Sequence, residues 1–209
     1  AAQIRDLHRA ALEHGPPVEG VSRVVLLGDS YVASKATPLE ETVGSRLEYH
    51  LNAAGGRTWE VVILGYEGWG QREELKALEK YGSSVGPAVV VTLFLPFNDF
   101  RNNSKELDEI GERQKHGDVL PASEVPGLFL EWSVLNRLIA HRLAVARARS
   151  PASEIPVDFF AYSTEPDPMW ERAWDMTESL LLDTRAAAAS LGADYLIASA
   201  STPSGVLGA

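Results

Sequence analysis

Three polar positions in this chain each follow closely on an apolar run. Ser30 follows Val24-Val25-Leu26-Leu27-Gly28-Asp29, Gly68 follows Val61-Val62-Ile63-Leu64-Gly65, and Asn98 follows Val89-Val90-Val91-Thr92-Leu93-Phe94-Leu95. A serine hydroxyl, a glycine backbone N–H and a side-chain amide are groups that acyl transfer from an ester uses. The hydroxyl attacks the carbonyl carbon, a general base takes its proton, and hydrogen-bond donors hold the oxyanion that forms. The N–H beside Ser30, the N–H of Gly68 and the Asn98 amide would supply three donors, each worth about 10² to 10³ in rate. A lone Gly-Asp-Ser is equally readable as a turn that ends a strand. The repetition of the pattern after three separate runs is what gives it chemical content.

The elements must bring those positions together. Uninterrupted apolar runs of this length read as strands buried on both faces of a parallel sheet, and ligands gather beyond the carboxyl ends of such strands. Five strands are expected, at Val24–Leu27, Trp59–Leu64, Ala88–Leu95, Pro156–Tyr162 and Ala193–Ala198. Between them lie helical patterns: Leu39, Val43, Leu47 and Leu51 repeating every fourth residue, then Glu73–Tyr81, Ser133–Ala148 and a long stretch from Pro168 to Leu191. Strands alternating with helices predict an α/β protein, a three-layer α/β/α sandwich around a five-stranded parallel sheet. The 209 residues fit a single domain, 1–209, with a short lead-in over 1–21 and a charged, weakly periodic surface excursion over about 101–127 that could act as a lid.

Composition removes several function classes. A formal net charge of −10 disfavours nucleic acid or an anionic membrane surface, since phosphate binding needs clustered Lys and Arg. No apolar run approaches the roughly 20 residues that span a bilayer. With no cysteine there is neither a disulfide framework nor a thiolate zinc site, so compartment stays open. The chain starts at Ala1, not methionine, which leaves room for an exported protein whose leader has been removed. The expected partner is a small-molecule or carbohydrate ester; no cofactor and no metal are expected.

Leu27-Gly28-Asp29-Ser30, Leu64-Gly65-Tyr66-Glu67-Gly68-Trp69-Gly70 and Phe97-Asn98-Asp99 together resemble the sequence blocks of the SGNH hydrolases, also called GDSL esterases and lipases. The resemblance covers residues 24–103 and implies a flavodoxin-like fold, with Ser30 as nucleophile and Ser30, Gly68 and Asn98 forming the oxyanion hole. Two positions depart from the family pattern. Pro96 stands where the third block usually has glycine, and the final Asp-x-x-His block, which supplies base and orienting acid, is absent from the last third of the chain. Residues 201–209 read as a strand-to-loop exit, so that block is expected beyond Ala209, leaving these 209 residues inactive by themselves. Among the five histidines His116, in the charged excursion, is the one candidate to replace it, because His8, His14, His50 and His141 fall before the first strand or within helices.

Asp29, Glu67 and Asp99 stand beside the three key positions and are expected to contact substrate. Asp29 and Asp99 could also be read as a metal pair, although carboxylates next to turns commonly bond backbone N–H groups and shape the loops. Glu67 could be a base or a solvated loop carboxylate. Trp69, Phe97 and Phe100 could wall an acyl or sugar pocket or simply fill the core. Three functions follow: a serine ester hydrolase, a catalytically idle domain of the same fold that binds carbohydrate or protein, or a flavodoxin-like nucleotide binder. The last is disfavoured because the Gly28 loop lacks the glycine patterns that cradle phosphate.

Overall fold

The apolar runs form strands whose successive side chains face opposite sides, and two separate cores grow from that alternation. A computed structural model of the chain describes residues 18–116, 161 and 167–200, with the side chains of Phe97, Lys115 and His116 left undescribed. Strand β1 spans Val21–Gly28, β2 Thr58–Gly65, β3 Val89–Phe94 and β4 Asp194–Ser199. All pair in parallel in the order β2-β1-β3-β4. Helices in chain order are α1 (Ser30–Ala33), α2 (Val43–Ala53), α3 (Gln71–Val85), α4 (Pro96–Asn103), α5 (Lys105–His116) and α6 (Pro168–Ser190). A turn of 3-10 helix, Leu39–Glu41, precedes α2 and leaves Leu39 exposed, so the expected four-residue apolar repeat starts at Val43 instead.

Val24 and Leu26 of β1 face one side, where Val32, Val61 and the α2 residues Val43, Leu47 and Leu51 cover them. Val25 and Leu27 face the other, against Leu78, Tyr81 and Val85 of α3 and Ala188 of α6. The result is three layers, α2 on one face and α3 with α6 on the other. Burying those side chains is the main stabilising term, about 1.5–3 kcal/mol for each fully buried large aliphatic. No described helix is long and apolar enough to cross a membrane.

Two expectations change. Among the described residues the sheet has four strands, not five, and β4 pairs with β3 in full register, Val89 opposite Asp194 through Phe94 opposite Ser199. The strand expected at 156–162 lies outside the described residues except for Ala161, which is buried beside Leu107, Trp170 and Ala173. The lead-in over 1–17, the helix at 133–148 and residues 201–209 likewise lie outside them. Residues 101–116, read as part of a surface excursion, are helical and join a core. Their weak periodicity hides Leu107, fully buried, and Arg101, whose buried guanidinium reaches the Asp108 carboxylate at 3.1 Å. Residues 117–127 lie outside the description.

The β1–β2 crossing just below the rim admits no side chain at Gly65. A Cβ there would stand 2.7 Å from the Gly28 carbonyl oxygen and 2.9 Å from a Val32 methyl. Gly65→Ala is therefore expected to destabilise the fold by about 1–3 kcal/mol, read as a lower urea midpoint with an unchanged slope. An unchanged midpoint would mean that the strand exits are looser than described.

Candidate active site

Strand order decides what meets at the rim. Because β1 lies between β2 and β3, the exit carrying Ser30 is flanked on one side by the Gly68 loop and on the other by the first turn of α4, which carries Asn98. Neighbouring strands are about 4.8 Å apart, so three adjacent exits share a narrow rim. Both flanks are hydrogen-bonded to the β1 exit. Tyr66 N donates to the Gly28 carbonyl at 3.2 Å, and Asn98 Nδ2 donates to Asp29 Oδ2 at 2.8 Å.

Ser30 opens α1 and is exposed. Asp29 caps that short helix, its Oδ1 accepting from Tyr31 N at 2.9 Å, which fixes the chain direction on either side of Ser30. Among the described residues Ser30 Oγ has no hydrogen-bond partner. Across the rim, Trp69 N donates to the Tyr66 carbonyl at 3.2 Å and closes a turn in which Gly68 has φ of +75°, a conformation glycine adopts without strain. No described residue accepts from the Gly68 N–H. Asn98 is helical where a loop was expected, since Pro96 with its fixed φ starts α4 at once. One N–H of its amide is committed to Asp29, which sets the amide plane; the other is used by no described residue.

Asp29 and Asp99, expected at the substrate surface, are buried, 2% and 1% exposed. Here the geometry follows the alternative in which such carboxylates hold the loops. Asp99 Oδ2 accepts from Leu95 N at 2.7 Å and from Gln71 Nε2 at 3.0 Å. Glu67 is exposed, with its carboxylate 3.5 Å from the Lys35 ammonium. Trp69 belongs to the core and Phe100 stacks edge-on against Phe94 at 5.2 Å, so both fill space behind the rim. Among the described residues no group of acidic or histidine side chains has the geometry of a metal site.

Four residues of the rim were not singled out by sequence: Gln71, Glu74, Asn102 and Asn103. Gln71 N donates to Asn103 Oδ1 at 2.9 Å, Asn103 Nδ2 donates to Gln71 Oε1 and to Thr177 Oγ1 of α6, and Asn102 Nδ2 donates to the Trp69 carbonyl at 3.0 Å. Gly70 permits this approach, since a Cβ there would meet Asn103 Oδ1 at 2.5 Å. The legible signal was periodicity. Gln71 and Glu74 fall on the same face of α3 as Leu78, Tyr81 and Val85, where a charged or amide residue is out of pattern.

Glu74 is 1% exposed, and neither carboxyl oxygen has a hydrogen-bond partner among the described residues; the same holds for Asp99 Oδ1 and Asn98 Oδ1. Burial, then the charges of Asp99, Asp29 and Glu73, pushes the Glu74 carboxyl well above its ordinary range. Burial also lifts Asp99 to about 7, with Asp29 adding to the rise and the bonds from Leu95 and Gln71 opposing it. Burial without partners therefore disfavours the charged form of Glu74.

Among the described residues no side chain is hydrogen-bonded to Ser30 Oγ as a general base would be. Lys35 Nζ lies 3.6 Å above the Tyr66 ring centre, and Tyr66 first and then Glu67 hold its pKa above the ordinary lysine value. A protonated ammonium has no lone pair to accept the serine proton. His50 stands in the last turn of α2 with its ring edge-on to Tyr49, most of the helix length away from the turn that leaves the rim. The side chain of His116 lies outside the described residues.

Neither a family model nor a curated protein sequence matches the chain. Among solved structures it is similar to TesA, with 15% identity, a TM-score of 0.35 and coverage of 83% of this chain and 77% of that one. A GDSL-like lipase from Bacteroides thetaiotaomicron VPI-5482 gives 15%, 0.36, 92% and 77% in the same terms. The gut microbial diltiazem-metabolizing enzyme BT4096 gives 16%, 0.34, 87% and 38%. At such low identities and scores the functional reading rests on the rim itself.

The buried acids fix a pH dependence. A carboxyl whose folded pKa lies above its unfolded value binds more protons in the folded state, so its contribution is intact below about pH 4 and is lost as pH rises toward the folded pKa. For Asp99 that window runs from about 4 to about 7, at up to about 1.4 kcal/mol per pH unit; the upward shift of Glu74 acts in the same direction. The charged or titratable groups acting on Glu74 are Asp29, Asp99 and Glu73, and Tyr195 of β4 feels its charge in turn. Glu74→Gln should raise Tm at pH 8, change it little at pH 4 and flatten the slope between. A variant with the parent's slope would contradict the upward shift assigned to Glu74.

Proposed function

We propose that this chain is a serine ester hydrolase of the SGNH type, acting on a small acyl ester or an acylated carbohydrate. Ser30 Oγ attacks the ester carbonyl carbon and passes its proton to a base that lies outside the described residues. The carbonyl π pair moves onto oxygen, where the N–H groups of Ser30 and Gly68 and the free N–H of Asn98 receive it. Collapse of that intermediate breaks the bond to the alcohol, which leaves with a proton from the base. Water then repeats the sequence on the acyl-serine and releases the acid.

The observation that carries this reading is the bond from Asn98 Nδ2 to Asp29 Oδ2 at 2.8 Å. Asp29 is the residue before the nucleophile, so the same carboxylate that caps the Ser30 turn also orients the amide on the neighbouring strand exit. A preset donor next to an exposed hydroxyl is what oxyanion stabilisation requires, because a donor that must reorganise loses most of its advantage. In this reading Asp29 and Asp99 position the site, and Glu67 with Lys35 borders it as a substrate contact.

Hydrolysis of p-nitrophenyl acetate by the longest natural form of the protein tests the assignment. Ser30→Ala should remove turnover, and Asn98→Ala should lower kcat by about 10² or more with KM within a few fold. An idle binding domain would show no Ser30-dependent turnover. An Asn98→Ala variant that melts lower yet turns over at the parent rate would remove Asn98 from the chemistry.

A further inference from the structure

The two donors that flank Ser30 come from different elements, Gly68 from the loop entering α3 and Asn98 from the start of α4. Each is free to drift relative to the other unless those elements are tied. We infer that Gln71 is the positioning residue that sets their spacing, an inference that rests on the hydrolase reading for its catalytic meaning. Gln71 is the first residue of α3, directly after Gly68-Trp69-Gly70, and is fully buried. Its side-chain Nε2 donates at 3.0 Å to Asp99 Oδ2, the same oxygen that holds Leu95 N at 2.7 Å and so closes the turn bearing Asn98. Its backbone N–H and its Oε1 engage the two ends of the Asn103 amide at the far end of α4, so Gln71 grips α4 at both ends. Asn103 is anchored in turn to Thr177 of α6 at 2.8 Å.

This arrangement differs from ordinary core packing. Every polar atom of one buried side chain and its N–H is spent on the element carrying the opposite donor. Geometry of this kind matters because a misplacement of about 1 Å at a reacting centre can cost about 10²-fold in rate. A backup tie, Asn102 Nδ2 to the Trp69 carbonyl at 3.0 Å, joins the same two segments at a half-buried position.

The test combines a double-mutant cycle with amide exchange. Gln71→Met keeps the volume and removes the side-chain hydrogen bonds; in the full protein it should lower kcat on p-nitrophenyl acetate by about 10- to 10²-fold with KM within a few fold. Made in an Asn98→Ala background it should cost less than about threefold, since the donor it positions is gone. A residue needed merely for folding would cost the same in both backgrounds, and that equality would overturn the proposal. Independently of activity, Gln71→Met should speed solvent exchange of the Trp69 N–H that closes the Gly68 turn and of the Asn98 side-chain N–H held by Asp29, and leave the Gly55-Gly56 turn unchanged. Asn102→Ala, which removes a less buried tie, should act in the same direction more weakly and serves if Gln71→Met does not fold. Unchanged exchange at both the Trp69 N–H and the Asn98 amide would overturn the brace. Altered exchange in a protein whose parent shows no Ser30-dependent turnover would overturn the hydrolase reading and leave the brace standing.

Discussion

The carboxylate of Asp29 receives a backbone N–H from Tyr31 on one oxygen and the Asn98 amide on the other, and it does so out of contact with solvent. A buried carboxylate left without donors would cost several kcal/mol, so the fold has to bring α4 to the exit of β1. The placement of β3 beside β1, the immediate start of α4 at Pro96 and the direction of the Ser30 turn all serve that one contact. It makes a single group responsible for both the strand exit that presents the hydroxyl and the amide that faces it.

A second layer behind this contact carries an energetic burden. Glu74, Asp99 and Asn98 hold four buried oxygens that no described residue satisfies, and burial raises the Glu74 pKa by disfavouring its charged form. Replacing Glu74 by an apolar side chain would suit the sheet better in isolation. Departures from local consistency of this sort concentrate where a protein gives up stability for arrangement. Here they lie directly beneath the rim, among the residues that tie α3 to α4.

Much of this was legible in the residues, for physical reasons. Apolar runs declare strands, so β2, β3 and β4 fell within one residue of their expected bounds, while β1 begins three residues earlier than expected, at Val21, ahead of the polar Ser22 and Arg23. The rim positions Ser30, Gly68 and Asn98 were visible because each follows such a run. The buried roles of Asp29 and Asp99 were less legible, since a carboxylate at a strand end reads the same whether it meets solvent or a backbone N–H on a distant segment. Helix α5 was hidden because Leu107 and Ile110 stand among charges that solvent or Arg101 can absorb. Gln71 and Asn103 stayed invisible as a pair, 32 residues apart, since nothing local marks two amides that meet through tertiary packing.

The central claim is that Ser30 faces donors on both flanking exits. Treating the full protein with a fluorophosphonate and solving the structure of the product tests it most directly, because the phosphonyl oxygen occupies the place of the oxyanion. The account predicts a bond from Ser30 Oγ to phosphorus, with that oxygen about 3 Å from Gly68 N and Asn98 Nδ2. Modification of another residue, or an oxygen turned away from both donors, would contradict it.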